Sequence, residues 1–338
     1  MGAAIGLLAG GLLTEHLSWR WTLYVNLALA ALTIAGTLLV VRPGPRTRGQ
    51  RVDVTGTILA SAGLFAVVFG FSRAQIDGWS AAPTWATLTA TAVLLATFGW
   101  RQTRAAHRLL PLRILTDRNR AASLLGLLLV NVGIFAVFLF LTYYLQQTLH
   151  YTPVQTGLAF LPIIGGTFAG SALALSVLPR FARPKITVPA GMFLAAGNLL
   201  WLTVLGAGSS YPAIILPALT LVGIGSGLIF PAATNLATAR VDTADSGIAG
   251  ALVNTTQQIG GSIGIALLST LSASAATNYL ASHGQPTATV IQNATLHGYS
   301  VAYAIAAGIF TAGAALTAIL YRPGTPKELA SGNQAVAI

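Results

Sequence analysis

The stretch from Ser246 to Leu271, SGIAGALVNTTQQIGGSIGIALLSTL, is long and apolar enough to cross a bilayer as one helix. Its small and polar residues are not scattered. Gly247, Gly250, Asn254, Gln257, Gly261 and Gly264 fall at steps of three and four, which places them on one face of a helix. Ile248, Leu252, Ile259, Ile263 and Leu267 cover the rest. In lipid, a row of glycines lets a second backbone come close, while Asn and Gln need partners that lipid does not offer. Two readings are open for this stripe. It is a packing seam throughout, or Asn254 and Gln257 also face a polar cavity. Both require an all-α, polytopic transmembrane bundle.

Charged residues make up only 7% of the chain, against about 25% in an ordinary soluble domain. About ten apolar segments follow one another, at 1–13, 21–41, 54–73, 84–100, 121–145, 154–178, 187–206, 213–235, 247–271 and 298–321. The formal charge of +11 does not point to nucleic acid, because the basic residues lie in short connections between these segments. Alternate connections gather sixteen of the eighteen Lys and Arg, leaving only Arg20 and Arg73 on the other side. By the positive-inside rule, that bias predicts a multi-pass plasma-membrane protein with a cytoplasmic C-terminus. The stretch 272–297 is expected to be the longest outer loop, and 322–338 a disordered cytoplasmic tail.

The first segment is short. Met1 to Leu13 reaches roughly 20 Å as a helix, against about 30 Å of hydrocarbon. Its Gly2, Gly6 and Gly10 form a doubled GxxxG, the mark of a helix that packs tightly on others. A close-packing helix that starts in mid-membrane reads as the end of a longer one, so the chain is expected to be the C-terminal part of a larger protein. Further along, Pro162 and the pair Gly165 and Gly166 are expected to break the sixth segment, and Gly223 and Gly227 to pack closely ahead of Pro231.

All seven acids and all five histidines fall in connections or at segment ends, so no carboxylate or imidazole sits in mid-membrane, where proton relays are built. No cysteine is present, and no HExxH, P-loop or nucleophile-elbow pattern occurs. An enzyme is not expected, nor is a cofactor or a metal. The polar residues left inside the membrane are neutral. On the fifth segment, Asn131, Phe135, Phe138 and Thr142 share a face, with Tyr143 at its end. Either these aromatics face lipid, or they join the amides as a wall for large lipophilic or cationic small molecules. On the second reading the substrate-binding residues are Asn131, Phe135, Phe138, Tyr143, Asn254 and Gln257.

Several stretches together resemble one family. They are Gly6 to Gly11; Trp19, Arg20 and Trp21 with Tyr24 and Asn26; and Tyr144 to Gln146 with Tyr151 to Pro153 and Gly157. Gly223 to Gly227 with Pro231, and Asn254 to Gln258 with Gly260 and Gly261, complete the set. In order and spacing the chain resembles a major facilitator superfamily transporter of the fourteen-helix drug:proton antiporter branch, the EmrB/QacA type. The resemblance implies substrate binding between two six-helix halves that rock to give alternating access. It implies protons as coupling ion, a monomer in the lipid bilayer, and efflux of small hydrophobic or cationic compounds. On that pattern residues 1–41 are the last two helices of the N-terminal half, and 42–120 an inserted helix pair with basic cytoplasmic loops. Residues 121–321 are the six-helix C-terminal half. Leu7 stands where the family's antiporter motif has a proline. A metabolite facilitator or exporter of the same fold, or a non-transporting membrane fragment, are the alternatives.

Overall fold

The computed structural model of the chain describes residues 2–40, 53–104, 116–177, 184–239, 241, 245–283, 285 and 287–322. All regular structure among them is helical. We label the helices α1 (Gly2–His16), α2 (Trp19–Val40), α3 (Val54–Asp77), α4 (Ala82–Arg104), α5 (Arg118–Tyr143) and α6 (Pro153–Ala159). They continue with α7 (Leu161–Ala172), α8 (Pro184–Leu202), α9 (Leu216–Thr238), α10 (Ser246–Ser282) and α11 (Ala288–Leu320). Among the described residues, eight spans are long and apolar enough to cross a membrane, with α6 and α7 counting as one. A helix bonds its own backbone, which is why an apolar segment in lipid takes this form.

The main core lies within α5 to α11, around Leu127, Leu141, Met192, Leu199, Leu219, Tyr303 and Phe310. The α1–α2 pair joins this bundle through α1 against α6, and the α3–α4 hairpin joins it through α3 against α10. One end of the bundle is tied by α5. Arg120 donates from Nε to the Ala237 carbonyl at 3.0 Å and from a terminal nitrogen to the Ala239 carbonyl at 2.8 Å. Arg118 donates to the Ile319 carbonyl, and the Asn119 side chain accepts from the Arg322 N–H at 2.9 Å. A buried guanidinium is thus placed on the partly negative carboxyl end of α9. Within the α3–α4 hairpin, the buried Asp53 caps α3 by accepting from the Gly56 N–H at 2.9 Å and binds Arg101 at 2.8 Å.

Bare glycine backbones form the seams. α7 and α9 meet through a reciprocal set: a Cβ on Gly166 or Gly170 would strike the Thr220 or Ile224 carbonyl, and one on Gly223 or Gly227 the Ile163 or Thr167 carbonyl. Gly225, two residues from either, faces α8 instead, where Gly191 and Gly225 each sit 2.7 Å from the other's carbonyl oxygen, measured from an added Cβ. On α10, Gly260 meets the Leu128 carbonyl, and an added Cβ on Gly264 would lie 2.7 Å from the Val132 Cα.

Three expectations are corrected. Gly2, Gly6, Gly10, Gly247 and Gly250 have nothing within 4 Å of an added Cβ among the described residues, so they do not form close-packed seams there. In the first helix it is Gly11 that packs, 2.8 Å from the Pro153 carbonyl by the same measure. The sixth segment is interrupted at Phe160, between α6 and α7, while Gly165 and Gly166 are helical. Pro162 has no N–H to donate back to Leu158, so the chain restarts with proline in the first turn of α7. The supposed outer loop 272–297 is mostly helix, since α10 runs to Ser282 and α11 starts at Ala288. Alanine-rich sequence keeps its helical preference where its apolarity fades, and Thr287 caps α11 by accepting from the Val290 N–H at 3.4 Å. At 37 and 33 residues the two helices are about 55 and 50 Å long and outreach the hydrocarbon core. The tail from 323 onward and the connection 41–52 lie outside the described residues.

Candidate functional site

A groove of about 280 Å3 is lined by α1, the start of α2, the end of α5 with the turn that follows it, α6, and Phe160 between α6 and α7. Its position follows from local sequence signals at the end of α5. The helix widens into a π-turn over Tyr144–Thr148, with the Leu149 N–H donating to the Tyr144 carbonyl at 3.1 Å. Such turns recur at functional sites because they re-aim the side chains around them. Thr152, Pro153, Val154 and Gln155 then start α6 with a capping box. The Thr152 hydroxyl accepts from the Gln155 N–H at 3.3 Å, and the Gln155 side chain accepts from the Thr152 N–H at 2.9 Å.

The third free N–H of that turn is taken from a distant part of the chain. The Val154 N–H donates to the Glu15 carboxylate at 3.0 Å. This bond, followed by one from the Thr152 side chain, holds the Glu15 carboxyl below its ordinary pKa. Next to it, Gly11 lies against Pro153 and Gly157 against Leu7, so α1 crosses α6 at backbone distance and forms one wall of the groove.

The other wall is aromatic. The Phe138 and Phe160 rings are 4.7 Å apart between centroids, tilted by 42°. Thr142, Gln146 and Thr156 line the same space from α5, its π-turn and α6, and Thr14 and Thr22 from the α1–α2 side. The Thr142 hydroxyl donates to the Phe138 carbonyl at 2.5 Å and that of Thr156 to the Thr152 carbonyl at 2.9 Å, so their oxygens still have acceptor capacity toward the groove. Gly6 and Gly10 leave the α1 wall flat, which is where their missing side chains matter. Among the described residues, no charged one lines the groove. Aromatic faces, hydroxyls and one amide in an uncharged cleft suit lipophilic ligands, neutral or cationic.

Only Phe138 of the six residues expected to bind substrate lines this groove. Asn131 is buried and donates to the Leu127 carbonyl of its own helix at 2.8 Å. Phe135 fills the gap at Gly261, where an added Cβ would lie 2.8 Å from its ring. Tyr143 belongs to another cavity, between α5, α10 and α11. Asn254 is exposed and donates to the Gly250 carbonyl at 3.2 Å, and Gln257 is half-buried. The α5–α10 register pairs Leu128 with Gly260 and Val132 with Gly264. At about 1.5 Å per residue, Asn254 therefore sits roughly 14 Å along the bundle from Asn131 and roughly 30 Å from Tyr143. The six do not form one cluster. Phe160, Gln146, Thr14 and Thr22 were not anticipated. The stretch Tyr144 to Gln146 and the capping box at Thr152 are local signals near them, and neither says anything of α1.

A membrane-spanning helical bundle with glycine seams and an uncharged cleft between two helix groups has the build of an integral membrane solute carrier. Residues 1–265 match the Major Facilitator Superfamily, and the chain belongs to that family, one of transporters rather than enzymes. It is 42% identical over 339 residues to the puromycin resistance protein pur8 of Streptomyces alboniger, covering 99% of this chain and 67% of that one. It is 34% identical to the cephamycin export protein CmcT of Amycolatopsis lactamdurans, over 81% of this chain and 57% of that one. The multidrug resistance protein Stp of Mycobacterium tuberculosis is 29% identical over 79% of this chain and 49% of its own length. The chain thus spans two thirds of the first of these relatives and about half of the others.

Proposed function

We propose that the chain is the C-terminal portion of a drug-efflux carrier of the fourteen-helix type, exporting small hydrophobic or cationic compounds across the plasma membrane. Substrate enters the groove between α1–α2 and α5–α6 and stacks on Phe138 and Phe160, with Thr142 and Gln146 fixing its polar edge. The observation that carries this reading is the uncharged aromatic groove at the contact between the two helix groups. The names of the relatives support it, since they are resistance and export proteins. On this reading the C-terminus is cytoplasmic, residues 42–120 are the inserted pair and 121–321 one rocking half. Asn254 and Gln257 face the central pathway nearer its cytoplasmic end.

Proton coupling needs a group whose protonation changes while it is exposed to each side in turn. Glu15, Asp53, Asp77, Asp117 and Asp245 all sit at helix ends. On this reading none of these five described carboxylates is the coupling group.

The test is a chimaera in which this chain replaces the matching part of the puromycin relative, expressed in a host without major efflux pumps. Accumulated radiolabelled puromycin should fall relative to a vector control, and Phe138→Ala or Phe160→Ala should restore much of it at equal membrane abundance. A chimaera that reaches the membrane in normal amount and changes neither the accumulation of puromycin nor that of any compound in a lipophilic panel removes the transport reading.

A further inference from the structure

We propose that the cavity between α5, α10 and α11 is a second ligand site, separate from the groove, for an uncharged aromatic compound bearing an amide or hydroxyl edge. The two spaces lie on different sides of α5. Phe138, Thr142 and Gln146 line the groove, and their immediate neighbours Leu139, Tyr143 and Gln147 line the second cavity. Successive residues of a helix point about 100° apart, so the outer end of α5 and its π-turn form a partition between them. Among the described residues, none lines both.

The second cavity holds about 410 Å3, larger than the groove. Its aromatic walls are Phe140 and Tyr299, 5.6 Å apart between centroids, with Tyr143 at the rim. Gln147, Ser269 and Ser272 supply a polar edge. Among the described residues, the Ser269 and Ser272 hydroxyls make no bond to their own helix, whereas the adjacent Thr270 donates to the Ala266 carbonyl at 2.7 Å. One ring behind the lining, Tyr303 meets Phe140 edge-on at 6.0 Å, and its buried hydroxyl has no partner among the described residues. Helix α10 also contributes the small side chains of Ala273, which is exposed, and Ala276, which is half-buried.

The chemistry selects the occupant. Among the described residues, none that lines the cavity carries a charge, so an ion would lose its hydration without a counter-charge from them. A neutral aromatic places its faces on Phe140 and Tyr299, and its amide or hydroxyl answers the Ser and Gln edge. The site rests on this cavity alone and does not depend on the transport reading.

The experiment photolabels the whole chain in nanodiscs with 4-benzoylbenzamide, an uncharged benzophenone amide, and maps the adducts by mass spectrometry. Adducts are expected within residues 265–276 of α10 and 295–299 of α11. Excess 1-naphthamide should suppress them, and 1-naphthylmethylammonium should not. Ala273→Trp, at an exposed position, should fill the cavity and abolish labelling without changing the melting temperature. Gln147→Leu should weaken competition by 1-naphthamide about fivefold, the loss of one hydrogen bond. Phe138→Ala, in the groove, should leave the pattern unchanged, so a failure of the efflux reading does not affect this result. No labelling at saturating probe overturns the proposal. So do adducts confined to the groove or spread over lipid-facing helices, or labelling that persists in folded Ala273→Trp.

Discussion

Replacing Gly227 by alanine should lower the melting temperature of the protein by a few degrees, although only one methyl group is added. An added Cβ falls on the Thr167 carbonyl oxygen and lies 2.7 Å from the Ser171 nitrogen and 3.0 Å from the Gly170 carbonyl carbon. All three are backbone atoms of α7, so no side chain can rotate away and α7 must move off α9. Overpacking of this kind costs about 3 kcal/mol, the upper end of the usual range. The better helix propensity of alanine offsets about 1 kcal/mol of that, leaving a net loss of about 2 kcal/mol. For a chain of 338 residues the loss corresponds to about 3 °C. Gly250→Ala is the control, because nothing lies within 4 Å of its added Cβ, and its melting should be unchanged or slightly raised. Both variants are heated in one detergent and the surviving monodisperse fraction is read by size-exclusion chromatography. Gly166→Ala, on the opposite side of the seam, should match Gly227→Ala. Equal melting of Gly227→Ala and Gly250→Ala would refute the backbone-contact argument.

Acid should loosen the contact between α1 and α6. The folded-state pKa of Glu15 is depressed by the Val154 N–H, so its contribution is present above the ordinary value of 4.5 and lost as pH falls through the lower folded value. Spin labels at Leu12→Cys and Gln155→Cys should report a longer or broader distance below that range, and Glu15→Gln should show it already at neutral pH. A distance that is unchanged in both cases would remove the capping role. Asp53→Ala should free Arg101 and uncap α3, seen as faster amide exchange at Gly56 and Thr57 with the middle of α3 unaffected; equal exchange across α3 would contradict it. In this cysteine-free chain, Ser282→Cys should react with an impermeant thiol reagent added outside intact cells while Arg104→Cys does not. Labelling of Arg104→Cys alone would invert the proposed orientation.

The element list was largely legible from the chain alone. Apolarity at bilayer length marks a helix wherever it occurs, and each of the ten segments contains one or, at Phe160, two. The connection between α10 and α11 was misplaced because hydropathy reports lipid contact and not helicity, and α10 stays helical beyond its apolar part. The glycine pattern was legible only as a pattern. Gly247, Gly250, Gly261 and Gly264 share one periodicity, yet the last two meet α5 and the first two meet nothing among the described residues. The same holds for Gly6 and Gly10, whose bare surface faces a groove, while Gly11 takes the backbone contact. Periodicity states which residues share a face. Whether another backbone arrives at that face, and at what height, depends on the register between helices far apart in sequence. Tertiary packing therefore decided that Phe138 meets Phe160 and α1 across a groove while Tyr143 turns to a different cavity. It also left Asn131 and Asn254 at different depths, because a parallel α5–α10 pair in this register cannot bring them level.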